Sequence, residues 1–198
     1  MGSLSQAKTL GGIGAILTLL LLVPAFVGVG LVIVGWILIL LAVKDISEAV
    51  QDRSIFSNML ISAILAIVGA VVFAVFVVGA ILGFIGLGAA GASAASSVFG
   101  LLAGLIAGLL VGWVLEIVSA YFLWIAFKGI GAKVNVGLFG TAGLIYFIGS
   151  ILTVIVVGFL LTFVAQILFI VAFFSLPDNP PQHQSMGPSQ APPPMTAT

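Results

Sequence analysis

Charge is the scarcest feature of this chain. Five basic and five acidic residues make up 5% of its 198 positions, against roughly a quarter in soluble domains. Mean hydropathy is +1.46, and 63% of the residues are hydrophobic. So little polar surface cannot cover a water-soluble fold, and the composition implies an integral membrane protein whose first partner is the lipid bilayer. The few basic residues are scattered, so no surface is available to neutralise phosphates and nucleic acid is not an expected partner. Cysteine is absent and histidine occurs once, at His183. Disulfides, thiolate metal sites, cysteine nucleophiles and cysteine-ligated clusters are thereby excluded. No metal, cofactor or nucleophile–base pair is expected, so the chain does not read as an enzyme.

Proline is nearly absent before residue 177, with Pro24 the one exception. Crossing a hydrocarbon core of about 30 Å takes roughly 17 to 25 apolar residues. The apolar runs predict an all-α bundle of about six membrane-spanning helices over 8–23, 29–47, 57–84, 99–127, 139–156 and 159–175. Lys8, before the first run, gives it the look of a signal peptide, but no cleavage region precedes Pro24, so an uncleaved helix is expected. Met1-Gly2 does not fit the myristoylation pattern, since the sixth position is Gln6. Ser54 or Ser57 is expected to cap the third helix, and the Gly/Ala/Ser-rich stretch 86–97 to form a loop or a loosely wound helix end. The last apolar run, Phe139 to Leu176, would reach about 55 Å as one helix, so a break is placed near Gly158. Residues 1–177 thus read as one transmembrane domain and 178–198 as a disordered proline-rich tail able to recruit a soluble partner. All five basic residues fall on one side of such a bundle, which predicts a cell-membrane protein with both termini cytoplasmic.

One stretch stands out within these helices. Gly100, Gly104, Gly108 and Gly112 recur every fourth residue, and the next step of the series is Glu116. No other charge lies between Arg53 and Lys128, so the carboxylate belongs inside a membrane segment, about 12 Å inward of Trp124. An ionised group at mid-bilayer costs about 2.5–3.5 kcal/mol on insertion scales. Glu116 is therefore either a proton or cation site facing a polar cavity, or a neutral acid hydrogen-bonded to Ser62, Tyr146, Thr162 or Gln166. The glycine ladder predicts close helix packing, either with a second small-residue face at Ser62, Ala66, Ala70 and Ala74 or with another copy of the chain. Asp45, Glu48 and Asp52 share a helix face but lack a ligand loop, and they read as a solvated face rather than a divalent-cation site.

Three outgoing segments read alike: Ala42-Val43-Lys44-Asp45-Ile46-Ser47, Ala126-Phe127-Lys128-Gly129-Ile130-Gly131 and Ala172-Phe173-Phe174-Ser175-Leu176-Pro177. The incoming segments also rhyme, Ile55-Phe56 with Leu138-Phe139, and Gly11 and Gly14 with Gly140 and Gly143. Three tandem hairpins in one orientation are the implied architecture. On Leu4-Ser5-Gln6-Ala7-Lys8 before Gly11-Gly12-Ile13-Gly14, Lys44-Asp45-Ile46-Ser47 followed by Ser54-Ile55-Phe56, and Phe139 to Gly143 with the closing Ala172-Phe173-Phe174-Ser175-Leu176-Pro177, the chain resembles over about 3–177 the small archaeal and bacterial membrane proteins grouped as domain of unknown function 996. That resemblance implies a multi-pass membrane protein and brings no site residues with it. Two functions follow from the residues themselves: a small channel or transporter-like protein using Glu116, or a non-catalytic scaffold associating through its glycine faces.

Overall fold

A proline-poor apolar chain in lipid must satisfy its backbone polar groups within each segment, and helices do so. The computed structural model describes residues 3–19, 26–89, 95–155 and 157–178. Six α-helices follow one another: α1 (Leu4–Leu19), α2 (Phe26–Ala49), α3 (Arg53–Ala89), α4 (Ala95–Val134), α5 (Leu138–Ile151) and α6 (Val157–Phe174). A short 3-10 turn, Leu152–Val154, follows α5, and there is no strand among the described residues. The chain is thus a helical membrane bundle of three tandem hairpins. Among the described residues, four stretches are long and apolar enough to cross a membrane by themselves: Gly30–Ala49, Arg53–Gly86, Val98–Val134 and Val157–Phe174. The proline-rich tail from 179 onward lies outside the described residues.

Each helix packs on its neighbours in the chain, and α6 returns to α1, which closes a ring. The core fills only one end of that ring, where α1, α3 and α5 begin and α2, α4 and α6 finish. Phe127 is its hub, with ring centroids 4.7 Å from Phe169, 5.7 Å from Phe139 and 6.1 Å from Phe173. Every charged side chain except Glu116 also stands at this end. Lys8 reaches Asp178 at 3.7 Å and Lys133 reaches Asp52 at 3.6 Å, which ties the start of α1 to the end of α6 and the end of α4 to the α2–α3 link. The latter pair and the Ser54 hydroxyl hold the Asp52 carboxyl below its ordinary range, the hydroxyl having the larger effect.

The repeat is real at the level of packing. The even-numbered helices bury the same positions: Ile39, Leu123 and Phe169; Ala42, Ala126 and Ala172; Val43, Phe127 and Phe173; Ile46, Ile130 and Leu176. Both links at the packed end use one device, a left-handed residue just past the helix, Gln51 (φ 54°) and Asn135 (φ 57°). Asp52 N–H then donates to Ser47 O at 3.0 Å, as Val136 N–H does to Gly131 O at 3.1 Å. Ile55 N–H donates to Asp52 O as Phe139 N–H does to Val136 O, so Ile55 is the counterpart of Phe139 rather than of Leu138. The first hairpin shifts by a few residues as well. Gly11 faces Phe173 and Gly143 faces Phe127, which matches Gly11 with Gly143 rather than with Gly140.

Two sequence expectations change and one holds. Asp52, not Ser54 or Ser57, caps α3, accepting Ser54 N–H at 3.1 Å as an N-cap carboxylate does. With no proline to stop it, α3 runs on to Ala89, and α4 already begins at Ala95, so most of the Gly/Ala/Ser stretch is helical and residues 90–94 lie outside the described ones. At 37 and 40 residues, α3 and α4 are about 55 and 60 Å long, far beyond the 24-residue α2. The break near Gly158 occurs where expected. Gly158 N–H donates to Ile155 O at 2.8 Å, and a β-carbon on Gly158 would overlap the backbone of Leu152 and Thr153, so this uncharged reversal depends on glycine.

Candidate binding cleft at Glu116

Where the aromatic core ends, the ring opens. Above Leu40 of α2, Ala63 of α3 and Glu116 of α4, the hairpins part around a cleft of about 920 Å³. Its walls come from α2 to α6 and are mostly aliphatic and aromatic, with Trp36, Phe73, Trp113, Tyr146 and Phe159 the large rings. Glu116 is the one charged residue on that surface and stands at its inner end, next to the packed core. It lies twelve residues, about 18 Å along α4, from Lys128 at the charged end. The cleft reaches from there to Ile106, about 15 Å further from that end.

The hydrogen-bonded alternative for Glu116 finds little support. Ser62 is taken by Ser119, whose hydroxyl donates to Ser62 O at 2.9 Å, with the two hydroxyls 3.2 Å apart. Gln166 Oε1 accepts weakly from Thr18 at 3.4 Å, across the α1–α6 seam. Thr162 donates to its own helix at Phe159 O. Tyr146 alone of the four faces the cleft together with Glu116. Trp113, one helical turn from Glu116, spends its indole N–H on Ser150 O at 3.0 Å and so presents an apolar face.

The small-residue positions separate into different roles. Gly108 is required by space, because a β-carbon there would overlap the Phe76 ring of α3. At Gly112 the nearest atoms to such a carbon are Gly69 O and Phe73 Cβ at 3.7 Å, ordinary contact. A β-carbon on Gly100 or Gly104 would meet no atom within 4 Å among the described residues, so close packing does not require glycine at either position. On α3, Ser62 is buried against α4, Ala66 and Ala70 line the cleft, and Ala74 is exposed. The two small faces therefore do not pack against each other: α3 meets the ladder with Gly69, Phe73 and Phe76. A close backbone approach between two long helices lies elsewhere, between α1 and α2, where a β-carbon on Gly14 would fall 2.7 Å from Gly35 O and one on Gly35 equally near Gly14 O.

Asp45, Glu48 and Asp52 form no metal-binding group among the described residues. Glu48 lies 3.8 Å from Lys44 and Asp52 pairs with Lys133, as a solvated, charge-paired surface would. His183 falls in the tail, outside the described residues. Tyr146 apart, the cleft aromatics escaped the sequence reading because an apolar membrane helix has no wet face to set them apart. Trp36 and Trp113 did leave a signal, since tryptophan in membrane helices favours the interfaces and both lie well inside apolar runs.

The model of the family described as Protein of unknown function (DUF996) matches residues 31–167. This chain belongs to that family. An uncharacterized protein of Methanocaldococcus jannaschii is 39% identical over 176 residues, covering 89% of this chain and 94% of the relative. No solved structure matches. The matched region takes in the cleft walls from Val32 to Phe159 and stops short of the Phe173 side of the core.

Proposed function

We propose that this DUF996 protein is a small multi-pass membrane protein of transporter type, in which Glu116 is a proton or cation site at the blind end of a one-sided cleft. The observation that carries the reading is a lone carboxyl on an otherwise uncharged cleft wall, with no ion-pair partner among the described residues. A carboxyl so placed binds a proton when the cleft is empty and exchanges it for a cation when one arrives. The aromatic core beneath supplies the seal that an alternating-access protein needs on its closed side. No nucleophile–base pair lines the cleft, so we assign no enzymatic reaction.

The charge distribution supports a cytoplasmic packed end, with six crossings and both termini inside the cell. Purified protein in liposomes should dissipate an imposed pH or cation gradient, and Glu116→Gln should remove that flux without lowering the yield of folded protein. Flux that persists in the variant would remove Glu116 from the mechanism. A second reading, a scaffold, draws on Gly100 and Gly104, which stand open on the long α3–α4 hairpin and suit close contact with a second copy. In that reading the tail from 179 serves a soluble partner. Cross-linking of Gly104→Cys in membranes tests the association.

A further inference from the structure

The cleft's chemistry specifies more than an ion. An inorganic cation loses hydration on entry and needs several oxygen ligands to replace it, typically six to eight for calcium. The cleft wall offers one carboxylate, and its other polar side-chain groups are few: the Tyr146 hydroxyl, the Thr153 hydroxyl, already donated to Gly149 O at 3.0 Å, and the Trp113 indole N–H, donated to Ser150 O. What it offers in quantity is apolar and aromatic surface, within a volume that falls in the range of drug-sized ligand sites. An occupant matched to these walls has a large apolar body and a single delocalised or shielded positive charge. Its charge would meet Glu116 at the inner end, and its body would lie against Trp36, Phe73, Trp113 and Phe159, whose ring faces favour cations.

We propose that the cleft is a binding site for lipophilic organic cations, which displace one proton from Glu116. The inference rests on the reading of Glu116 as the cleft's ion site and adds the class of molecule. The exchange balances: the carboxylic acid releases its proton to solution as the cation enters, and the loaded cleft is neutral. Glu116 and Tyr146 are the titratable groups that face the cleft from α2 to α6, and no charged group on any of those helices lines it besides Glu116. Ala66 and Ala70 line the cleft from α3 with small side chains, so bulk added there takes up cleft volume.

The test uses two probes of nearly equal size and opposite charge, tetraphenylphosphonium and tetraphenylborate, added to the full chain in detergent, with tryptophan fluorescence and proton release as readouts. The cation is expected to bind at least about tenfold more tightly than the anion, to release one proton per site, and to gain up to about tenfold in affinity per pH unit while the acid is still protonated. Glu116→Gln should abolish both the proton release and the preference for positive charge. Should that variant fold poorly, Ala70→Leu keeps the acid and narrows the cleft, and it should weaken cation binding several-fold. Equal binding of the two probes, a preference that survives Glu116→Gln, or unchanged binding in Ala70→Leu would each overturn the proposal. Glu116-dependent flux of protons or inorganic cations without tetraphenylphosphonium binding would overturn this inference alone. Binding with proton release but without any flux would instead overturn the transporter reading and leave the site standing.

Discussion

The two ends of the bundle are built from the same helices and obey different rules. At the charged end, large side chains at repeated positions interlock: Phe127, Phe139 and Phe173 are at most 1% exposed, and three hairpins meet as near equivalents. Past Glu116 the same helices part, and α3 and α4 continue beyond their neighbours with Phe99 76% exposed and Ile85 64%. The side chains that interlock in the core and those that line the open end are alike apolar. In lipid, apolarity does not draw helices together, because a hydrocarbon tail solvates leucine as well as another helix does. What separates the two ends is shape, matched at one and unmatched at the other.

The largest effect should come from breaking the packed end. Phe127→Ala removes the hub of the aromatic cluster and is expected to cost about 3 kcal/mol, the low end for Phe→Ala in water-soluble cores, because lipid rather than water is the alternative surrounding. Thermal unfolding in detergent would measure it. A variant as stable as the parent would mean that the cluster does not hold the hairpins together.

Next in size is Gly108→Leu, which forces Phe76 aside and should separate α3 from α4, with a loss of about 1–3 kcal/mol as for overpacking elsewhere. Gly104→Leu is its control. With open space for a β-carbon among the described residues, it should leave the monomer's stability within about 0.5 kcal/mol of the parent and change only association between copies. Equal damage from the two would put Gly104 in a packed seam and erase the distinction between ladder halves.

Glu116→Gln, at the boundary between the regions, should leave stability unchanged or slightly raised, since it removes a group costly to ionise in hydrocarbon without stripping a bonded partner. A clear loss of stability in the same unfolding assay would reveal a partner the acid holds. A small, pH-dependent effect is expected of Asp52→Asn at the packed rim. Its ion pair with Lys133 is solvent-exposed and should contribute less than about 1 kcal/mol. Because the folded state depresses this carboxyl below 3.8, its contribution is complete above that pH and fades as the pH falls below it. The difference in melting temperature between Asp52→Asn and the parent should therefore shrink in acid, and a difference that grew in acid would contradict the assignment.

Much of this was legible in the residues. Runs of Leu, Ile, Val and Phe without proline can only be helices in lipid, and the rhyme of Ala42-Val43, Ala126-Phe127 and Ala172-Phe173 pointed to three hairpins because packed positions repeat when the packing does. Glu116 was visible as an isolated charge. The ladder misled because a glycine every fourth residue describes a smooth surface and says nothing about what lies on it. Phe76 lies on Gly108, while the space a β-carbon would take at Gly100 and Gly104 is open among the described residues. The Gly14–Gly35 contact went unread because each glycine sits among others that do not touch a neighbouring backbone.

The amino-acid sequence by itself determined the solvent, the helices and the side of the bundle on which charge gathers, since these depend on local transfer and hydrogen-bonding energies that each residue sets almost alone. The tertiary structure decided which apolar faces touch, where the ring seals and where it opens, and that Glu116 looks into a cleft instead of toward a bonding partner. Those outcomes depend on fit between distant segments. Within a uniformly apolar chain, hydropathy assigns every such pairing nearly the same energy, and only shape chooses among them.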